Sequence, residues 1–423
     1  MDLVLITGHY PYGMGETFVE DEMKIAEKFF DKITILSGEK KPKDECRYVP
    51  KNSNIICFRK KRYEFFPLYK ATALMFSPCC LKEFLFATKE FGFGNKKGEV
   101  LKKIFIYQYI SILLEKNFKN INNNMKNTIC YSYWMSEGAY FLSKLKKKNK
   151  YALLMSRAHG GDCFIERGYL PFRREILGNL DEIHIISQAG KESIEKNLLP
   201  YVLGRNHCKL FVSRLGVEKI NSKMCQNSDG SIFYIVSCSN IIPLKRLDIL
   251  INAISEIKSL KINWVHFGTG SQKDEIFNLA KKKLSLKKNV EYHFFGYVPK
   301  KKILHYYEEN PVDIFVNCSD TEGVPVSIME AFSYGIPAIA RNVGGNSEII
   351  VDGENGYLLN SCADFVELAK RINSYSSLSK ECKYNMRLNA YQIFSEKYNA
   401  ENNYKIFCKN IIKSSTKNLN LLR

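Results

Sequence analysis

The chain has 423 residues, enough for two domains that each bury a full core. Hydrophobic residues make up 45% and aromatic residues 13%, which excludes a disordered protein. Lysine and arginine number 63 against 44 acidic residues, and the net charge of +19 suits phosphate-bearing substrates, an anionic membrane surface or nucleic acid without choosing among them. The thirteen cysteines are scattered, and Cys79-Cys80, Cys163 and Cys318 fit no zinc spacing. Reduced thiols in a cytoplasmic protein account for them. The start, MDLVLITGHYPYG, is a short strand broken by His, Pro and Gly and not a signal peptide. No apolar run approaches the ~18–20 residues of a membrane span.

In chain order, Leu3–Thr7 reads as a buried strand and Gly8–Glu16 as a loop with glycines at 8, 13 and 15. Phe18–Phe30 is an amphipathic helix, and Lys32–Ser37 returns to strand. Residues 57–118 break this rhythm: Arg59-Lys60-Lys61-Arg62 leads into FFPLYKATALMF, CCLKEFLFATKEFGFG and VLKKIFIYQYISILLEK. Aromatic residues alternating with lysines suit helices in a membrane interface, and equally suit core-facing helices with solvated lysine faces. Both readings stand at this point.

Alternation then resumes. Thr128–Trp134 is a strand, Ser136–Lys147 a helix, and Tyr151–Arg157 a strand running into Ala158-His159-Gly160-Gly161-Asp162. Glu182–Ser187 is a strand followed by a helix over 189–198. Phe211–Ser231 reads as a linker, and strand Ile232–Ser237 opens a second domain. Ile262–Phe267 ends in Gly268-Thr269-Gly270, and Val290–Phe295 runs into Gly296-Tyr297-Val298-Pro299.

Val312–Val316 is a further strand, ending in the polar turn Asn317–Gly323 before a helix near Val326. Gly335-Ile336-Pro337 closes that helix, and strand Ile336–Ala340 leads to Gly344-Gly345. Such units build parallel sheets whose ligands sit at the carboxyl ends of the strands. Glu322 lies just before the helix and Glu330 about one turn into it. An ionised carboxylate only accepts hydrogen bonds, so it suits the hydroxyls of a ribose or hexose. Free N–H groups at the helix start suit phosphate, and glycines 323, 344 and 345 are expected to admit a ligand close to the backbone. Together these features fit a nucleotide sugar.

The string E-G-V-P-V-S-I-M-E-A-F-S-Y-G-I-P, with G-G-N-S-E and D-G-E-N-G-Y-L after it, resembles the carboxyl half of retaining GT-B glycosyltransferases, whose hallmark is two glutamates with seven residues between them, as between Glu322 and Glu330. The variants S-R-A-H-G-G-D and S-C-S-N-I-I-P-L-K-R look most like bacterial capsule, exopolysaccharide or O-antigen enzymes. The resemblance implies an α/β fold of two Rossmann-like domains across a cleft. Residues 1–216 would bind acceptor, with 57–118 as a membrane-interface insertion, and 217–230 would be the linker. Residues 231–395 would bind the nucleotide sugar, and helix 396–423 would cross back to the first domain.

The resemblance also implies roles. Gly13 and Gly15 would lie near the donor phosphates, and Lys245 would grip the diphosphate with Arg246 beside it. Asn240 stands where the family pattern has arginine, which replaces a charge-assisted hydrogen bond with a neutral one. Gly296, Tyr297 and Val298 would hold the nucleobase. Glu322, Gly323, Val324, Pro325 and Val326 would meet the donor sugar, Glu330 the ribose, and His159 the sugar from the other domain. A histidine at a strand end is also often structural; its flanking glycines favour function.

No D-x-D occurs, so the leaving diphosphate falls to Lys245, Arg246 and backbone N–H groups, with no metal or other cofactor expected. The implied donor is a UDP- or GDP-sugar, and the acceptor a polyprenyl-diphosphate-linked or soluble saccharide. The resemblance implies a cytoplasmic protein, expected to be peripheral at the inner face of the membrane. The rival readings are a GT-B enzyme of another class, such as an epimerase or phosphorylase, a catalytically dead scaffold, and a basic nucleic-acid binder, for which no motif is present.

Overall fold

The computed structural model describes residues 1–13, 16–39, 46–59, 65–119, 121, 125–145, 151–202, 207–219 and 223–421. Gly15, Lys60, Lys61 and Arg62 lie outside the described residues. The chain forms two compact units, one of Met1–Arg214 with Ala400–Arg423 and one of Leu215–Asn399.

The first unit carries β1 (Asp2–Thr7), β2 (Lys32–Ser37), β3 (Ser53–Cys57), β4 (Thr128–Ser132), β5 (Leu153–Ala158), β6 (Glu182–Ile185) and β7 (Lys209–Val212). They form one sheet in the order β3-β2-β1-β4-β5-β6-β7, parallel throughout. β4 and β5 are buried along their whole length because helices cover both faces. One face packs under the 22-residue helix Lys97–Phe118. The other packs under helix Thr17–Ala26 and Phe407, Cys408 and Ile411 of the last helix, Ala400–Leu421. On that side Arg157 is fully buried, 3.0 Å from Glu22, with its guanidinium 4.3 Å from the Phe407 ring. A buried cation with a paired acid and an aromatic face fixes the last helix on this unit.

The second unit carries β8 (Phe233–Cys238), β9 (Ile262–Phe267), β10 (Val290–Gly296), β11 (Ile314–Asn317), β12 (Ala338–Arg341) and β13 (Gly356–Leu359). Their order is β10-β9-β8-β11-β12-β13, again parallel throughout. Each sheet therefore reverses its winding once, between β1 and β4 and between β8 and β11. Ligands of such sheets sit in the crevice beyond the strand ends at that point.

Three strands, β3, β7 and β13, carry signals too short to stand out in the sequence. The expected linker also differs. Leu215, Val217 and Cys225 are buried in the second unit, tied by Val217 N–H to the Tyr398 carbonyl and Cys225 N–H to the Tyr334 carbonyl. A polar composition hid these anchors, and the boundary falls at Arg214 and Leu215.

Candidate functional site

The helix Val326–Ser333 carries Glu330, and the turn before it carries Glu322. Its end is set by Gly335 at φ 66°, where Ile336 N–H reaches the Ala331 carbonyl and Gly335 N–H that of Phe332. This double closure needs a left-handed residue, which glycine supplies without strain. Before the helix, the turn from β11 buries Glu322 to 8% exposure. Its Oε1 accepts from Lys245 Nζ at 2.6 Å, Ser319 Oγ at 2.7 Å and Asn317 Nδ2 at 3.1 Å. Oε2 receives no donor among the described residues. Burial pushes the Glu322 carboxyl up, but Lys245 and the two neutral donors outweigh it and hold the carboxyl below its usual range.

The glycines beside this turn do something other than admit a ligand. A Cβ on Gly344, at φ 53°, would lie 1.8 Å from the Glu322 carbonyl oxygen, and one on Gly345 2.1 Å from that of Gly323. Gly345 N–H donates to Gly323 at 2.7 Å. The pair thus lets the loop after β12 press on the loop after β11, backbone to backbone. This corrects the expectation for glycines 344 and 345.

Lys245 closes the short turn Pro243–Lys245 after β8. Arg246 follows at φ 46° and forks onto Asp248 at 3.0 and 3.0 Å, with Asp320 at 3.4 Å. Its guanidinium is therefore already shared by two carboxylates. Asn240 is exposed, and the adjacent Ser239 carbonyl would be 1.8 Å from a Cβ on Gly268. Gly268 N–H in turn donates to Gly296 at 2.8 Å. Tyr297 is half exposed and Val298 partly buried beyond it. Helix Lys300–Glu309 then starts with Lys300, whose Nζ stands 4.0 Å from Glu330 Oε1. Asn240, Lys245, Arg246, the turn 296–298, the run 322–326 and Glu330 all belong to loops or helix starts at the carboxyl ends of this sheet.

Sequence reading missed Ser319 and Asn317, the neutral donors to Glu322, and Lys300 beside Glu330. Ser319 had a signal in its place three residues before Glu322 in the polar turn. Lys300 had none, since its partner is 30 residues away.

Gly13 and His159 lie in the first unit. Gly13 is exposed at φ 68° in the loop after β1. That loop is organised by Glu16, absent from the expected site. Its carboxylate accepts from the N–H groups of Gly8 at 2.9 Å, His9 at 2.7 Å and Tyr10 at 2.6 Å, and from Trp134 Nε1. Glu16 itself sits at φ 60°, a strained conformation for a non-glycine residue.

His159 ends β5, buried among Phe18, Tyr133 and Trp134, the last with ring centroids 4.3 Å away. Its Nε2 is 3.2 Å from the Tyr133 carbonyl. A carbonyl only accepts, so Nε2 carries the hydrogen. Burial, then Arg157, lowers the imidazole to about 3, so it is neutral at ordinary pH. The neighbouring Asp162 carboxylate accepts from His159 N–H at 2.9 Å, and burial lifts its pKa to about 6.

Trp134 also lines a cavity of about 280 Å³ at the ends of β1 and β4, with Phe58, Arg59, Ser136 and Glu137. Among the described residues no group of three or more His, Cys, Asp or Glu side chains is placed to hold a metal ion. No described helix is long and apolar enough to cross a membrane.

Residues 222–392 match the family described as glycosyl transferases group 1. An uncharacterized 41.2 kDa protein of the cps region of Klebsiella pneumoniae is 25% identical over 62% of this chain and 62% of its own length. The O-antigen biosynthesis glycosyltransferase WbnH of Escherichia coli is 30% identical over 32% of this chain and 37% of its own. The chain thus spans less than two thirds of these curated relatives. Among solved structures, Anabaena HepE in complex with UDP and glucose superposes with TM-score 0.66 over 98% of this chain and 100% of its own, at 14% identity. Sucrose-phosphate synthase from Thermosynechococcus elongatus gives 0.70 over 97% and 98%, also at 14% identity. Residues 222–392 thus match the glycosyl transferases group 1 family, and the chain shares the two-sheet α/β fold of these solved GT-B glycosyltransferases.

Proposed function

We propose that the protein is a retaining, metal-independent glycosyltransferase that moves a sugar from a UDP- or GDP-sugar to a growing, lipid-linked cell-surface polysaccharide. The observation that carries this reading is Glu322, a buried, ionised carboxylate with one oxygen saturated by Lys245, Ser319 and Asn317 and the other open. The open oxygen accepts from a hydroxyl of the donor sugar. Lys245 is shared between Glu322 and the incoming diphosphate, and meets the charge that grows on the leaving group. Arg246 and the N–H groups of the turn after β8 add to it. Glu330 accepts from the ribose hydroxyls, with Lys300 steadying its carboxylate. Gly296, Tyr297 and Val298 border the base. The similarity to HepE, whose structure holds UDP and glucose, supports a nucleotide-sugar donor. The sequence has no D-x-D, which supports neutralisation by protein cations.

The first-unit cavity is the acceptor site in this reading. It offers the Trp134 indole as a platform and Glu137, a carboxylate without a hydrogen bond among the described residues, as an acceptor for saccharide hydroxyls. Trp134 also touches His159, so the acceptor and the neutral imidazole share one wall. Retention follows if the acceptor hydroxyl attacks on the face the diphosphate leaves, giving it the proton. The relatives from a cps region and from O-antigen biosynthesis support a polysaccharide acceptor.

The test is to incubate the purified protein with a panel of nucleotide sugars and lipid-linked acceptors, with and without EDTA. Transfer that survives the chelator, with the donor's anomeric configuration kept in the product by NMR, is expected. An inverted product, or activity restored only by a divalent ion, overturns the corresponding part.

A further inference from the structure

Helices Phe65–Leu74 and Pro78–Leu85 lie against the long helix Lys97–Phe118. They bury Pro67 and Ala71, and Cys80 and Glu83, toward the core. Glu83 is held by Tyr169 Oη at 2.6 Å and Phe172 N–H at 2.8 Å, so this corner is a built part of the unit. Their other faces, and Phe76 between them, are apolar in water: Phe65 is 84% exposed, Phe66 70%, Tyr69 66% and Phe76 78%, with Leu81 and Leu85 near half. Apart from Tyr201, Phe211 and Ile406, every exposed large apolar side chain of the described first unit lies between Phe65 and Leu101. Phe65 and Tyr69, and Leu81 and Leu85, are four apart and share a helix face. A monomer rarely leaves such a concentration of rings in water.

What covers the patch is indicated by its charge. Residues 65–119 contain nine lysines against four glutamates and no aspartate. Phe65, Phe66, Lys70, Lys116 and Lys119 rim a slot of about 540 Å³ between the first of these helices and the long one. Glu115 in the same slot is matched by Lys70 at 3.6 Å. Rings beside an excess of lysines complement a surface that is apolar within and anionic at its face.

We propose that this corner of the first unit docks on an anionic lipid bilayer. Phe65, Phe66, Tyr69 and Phe76 enter the acyl boundary, and Lys70, Lys116 and Lys119 meet lipid phosphates at the slot. The surface is separate from the residues assigned to glycosyl transfer and stands whether or not that reading does.

The experiment is flotation of the full chain with phosphatidylcholine vesicles, with and without phosphatidylglycerol, at low and high salt. The F65S/F66S/Y69S and K116S/K119S variants are compared, with circular dichroism and gel filtration as checks on fold and oligomeric state. Binding is expected only with the anionic lipid and is expected to fall with salt. The ring variant should lose it, and the double lysine variant should weaken it by about fivefold per lysine. Equal binding to neutral vesicles, or none to anionic ones, overturns the proposal. So does a wild-type dimer that the ring variant dissolves, because the patch is then covered by a second copy of the chain.

Discussion

The two units wind their sheets alike yet use the switch points differently. In the second unit the crevice loops touch backbone to backbone, Gly344 on Glu322 and Gly268 on Ser239. Its charged side chains, Lys245 and the buried Glu322, are paired with each other on that scaffold. In the first unit the loop after β1 is held by a side chain instead, the Glu16 carboxylate inside a cluster of three N–H groups. A peptide nest that elsewhere receives an anionic ligand is here filled from within. The difference teaches that an acid at a strand-end loop can keep one oxygen open, as Glu322 does, or have both taken by its own unit, as Glu16 does.

The sharpest way to break this comparison is to remove one charge from each loop. Lys245→Ala should cut kcat about 10²–10³-fold, the cost typical of losing a group that stabilises transition-state charge, and should also cost stability because the buried Glu322 loses its cation. Glu16→Gln should lower stability but leave the turnover of folded enzyme closer to wild type. Steady-state kinetics beside urea unfolding separates the two; equal kinetic losses would show that Glu16, like Lys245, acts on the ligand.

Next in size, Glu330→Ala should weaken nucleotide binding by about 1.5–3 kcal/mol, the usual value of hydrogen bonds to a charged group. Calorimetry with UDP and GDP reads it, and unchanged affinity for both would remove Glu330 from the donor site.

The backbone side of the comparison is sharpened by two glycine substitutions. Gly344→Ala puts a methyl 1.8 Å from the Glu322 carbonyl at φ 53°, whereas Gly353→Ala, at φ 80°, meets nothing within 4 Å. Both bear the cost of a left-handed alanine, more than about 1 kcal/mol. Only the first should also displace Glu322, seen as reduced activity in the folded fraction.

The smallest effect is in pH dependence. His159 and His266 are depressed to about 3 and about 4, in both cases chiefly by burial. The unfolded chain therefore binds protons that the folded one refuses. The stability these two contribute is complete above about 6.5 and is lost as pH falls toward 4. Asp162, lifted to about 6, acts in the opposite sense and stabilises as pH falls through 6. His159→Phe should flatten the acid side of a stability-against-pH curve. A curve identical to wild type would show that folding leaves the protonation of His159 unchanged.

The sequence alone determined most of the strand–helix alternation and the unit from β11 to β12. Those signals are local: apolar runs of strand length, and a helix closed by Gly335 within a few residues of its last turn. It also placed Glu322 and Glu330 on one loop and helix, since only eight positions separate them. Contacts between distant residues were beyond its reach. Lys245 meets Glu322 across 77 residues, and Trp134 reaches Glu16 across 118. No periodicity reports such pairs. The reason for Gly344 and Gly345 was likewise hidden, because a glycine that admits a ligand and one that admits another loop look identical in a string. The burial of Leu215, Val217 and Cys225 was decided by partners near Tyr334 and Tyr398. Local preference chose the elements; only packing over long separations decided which side chains hold the loops and which are left open.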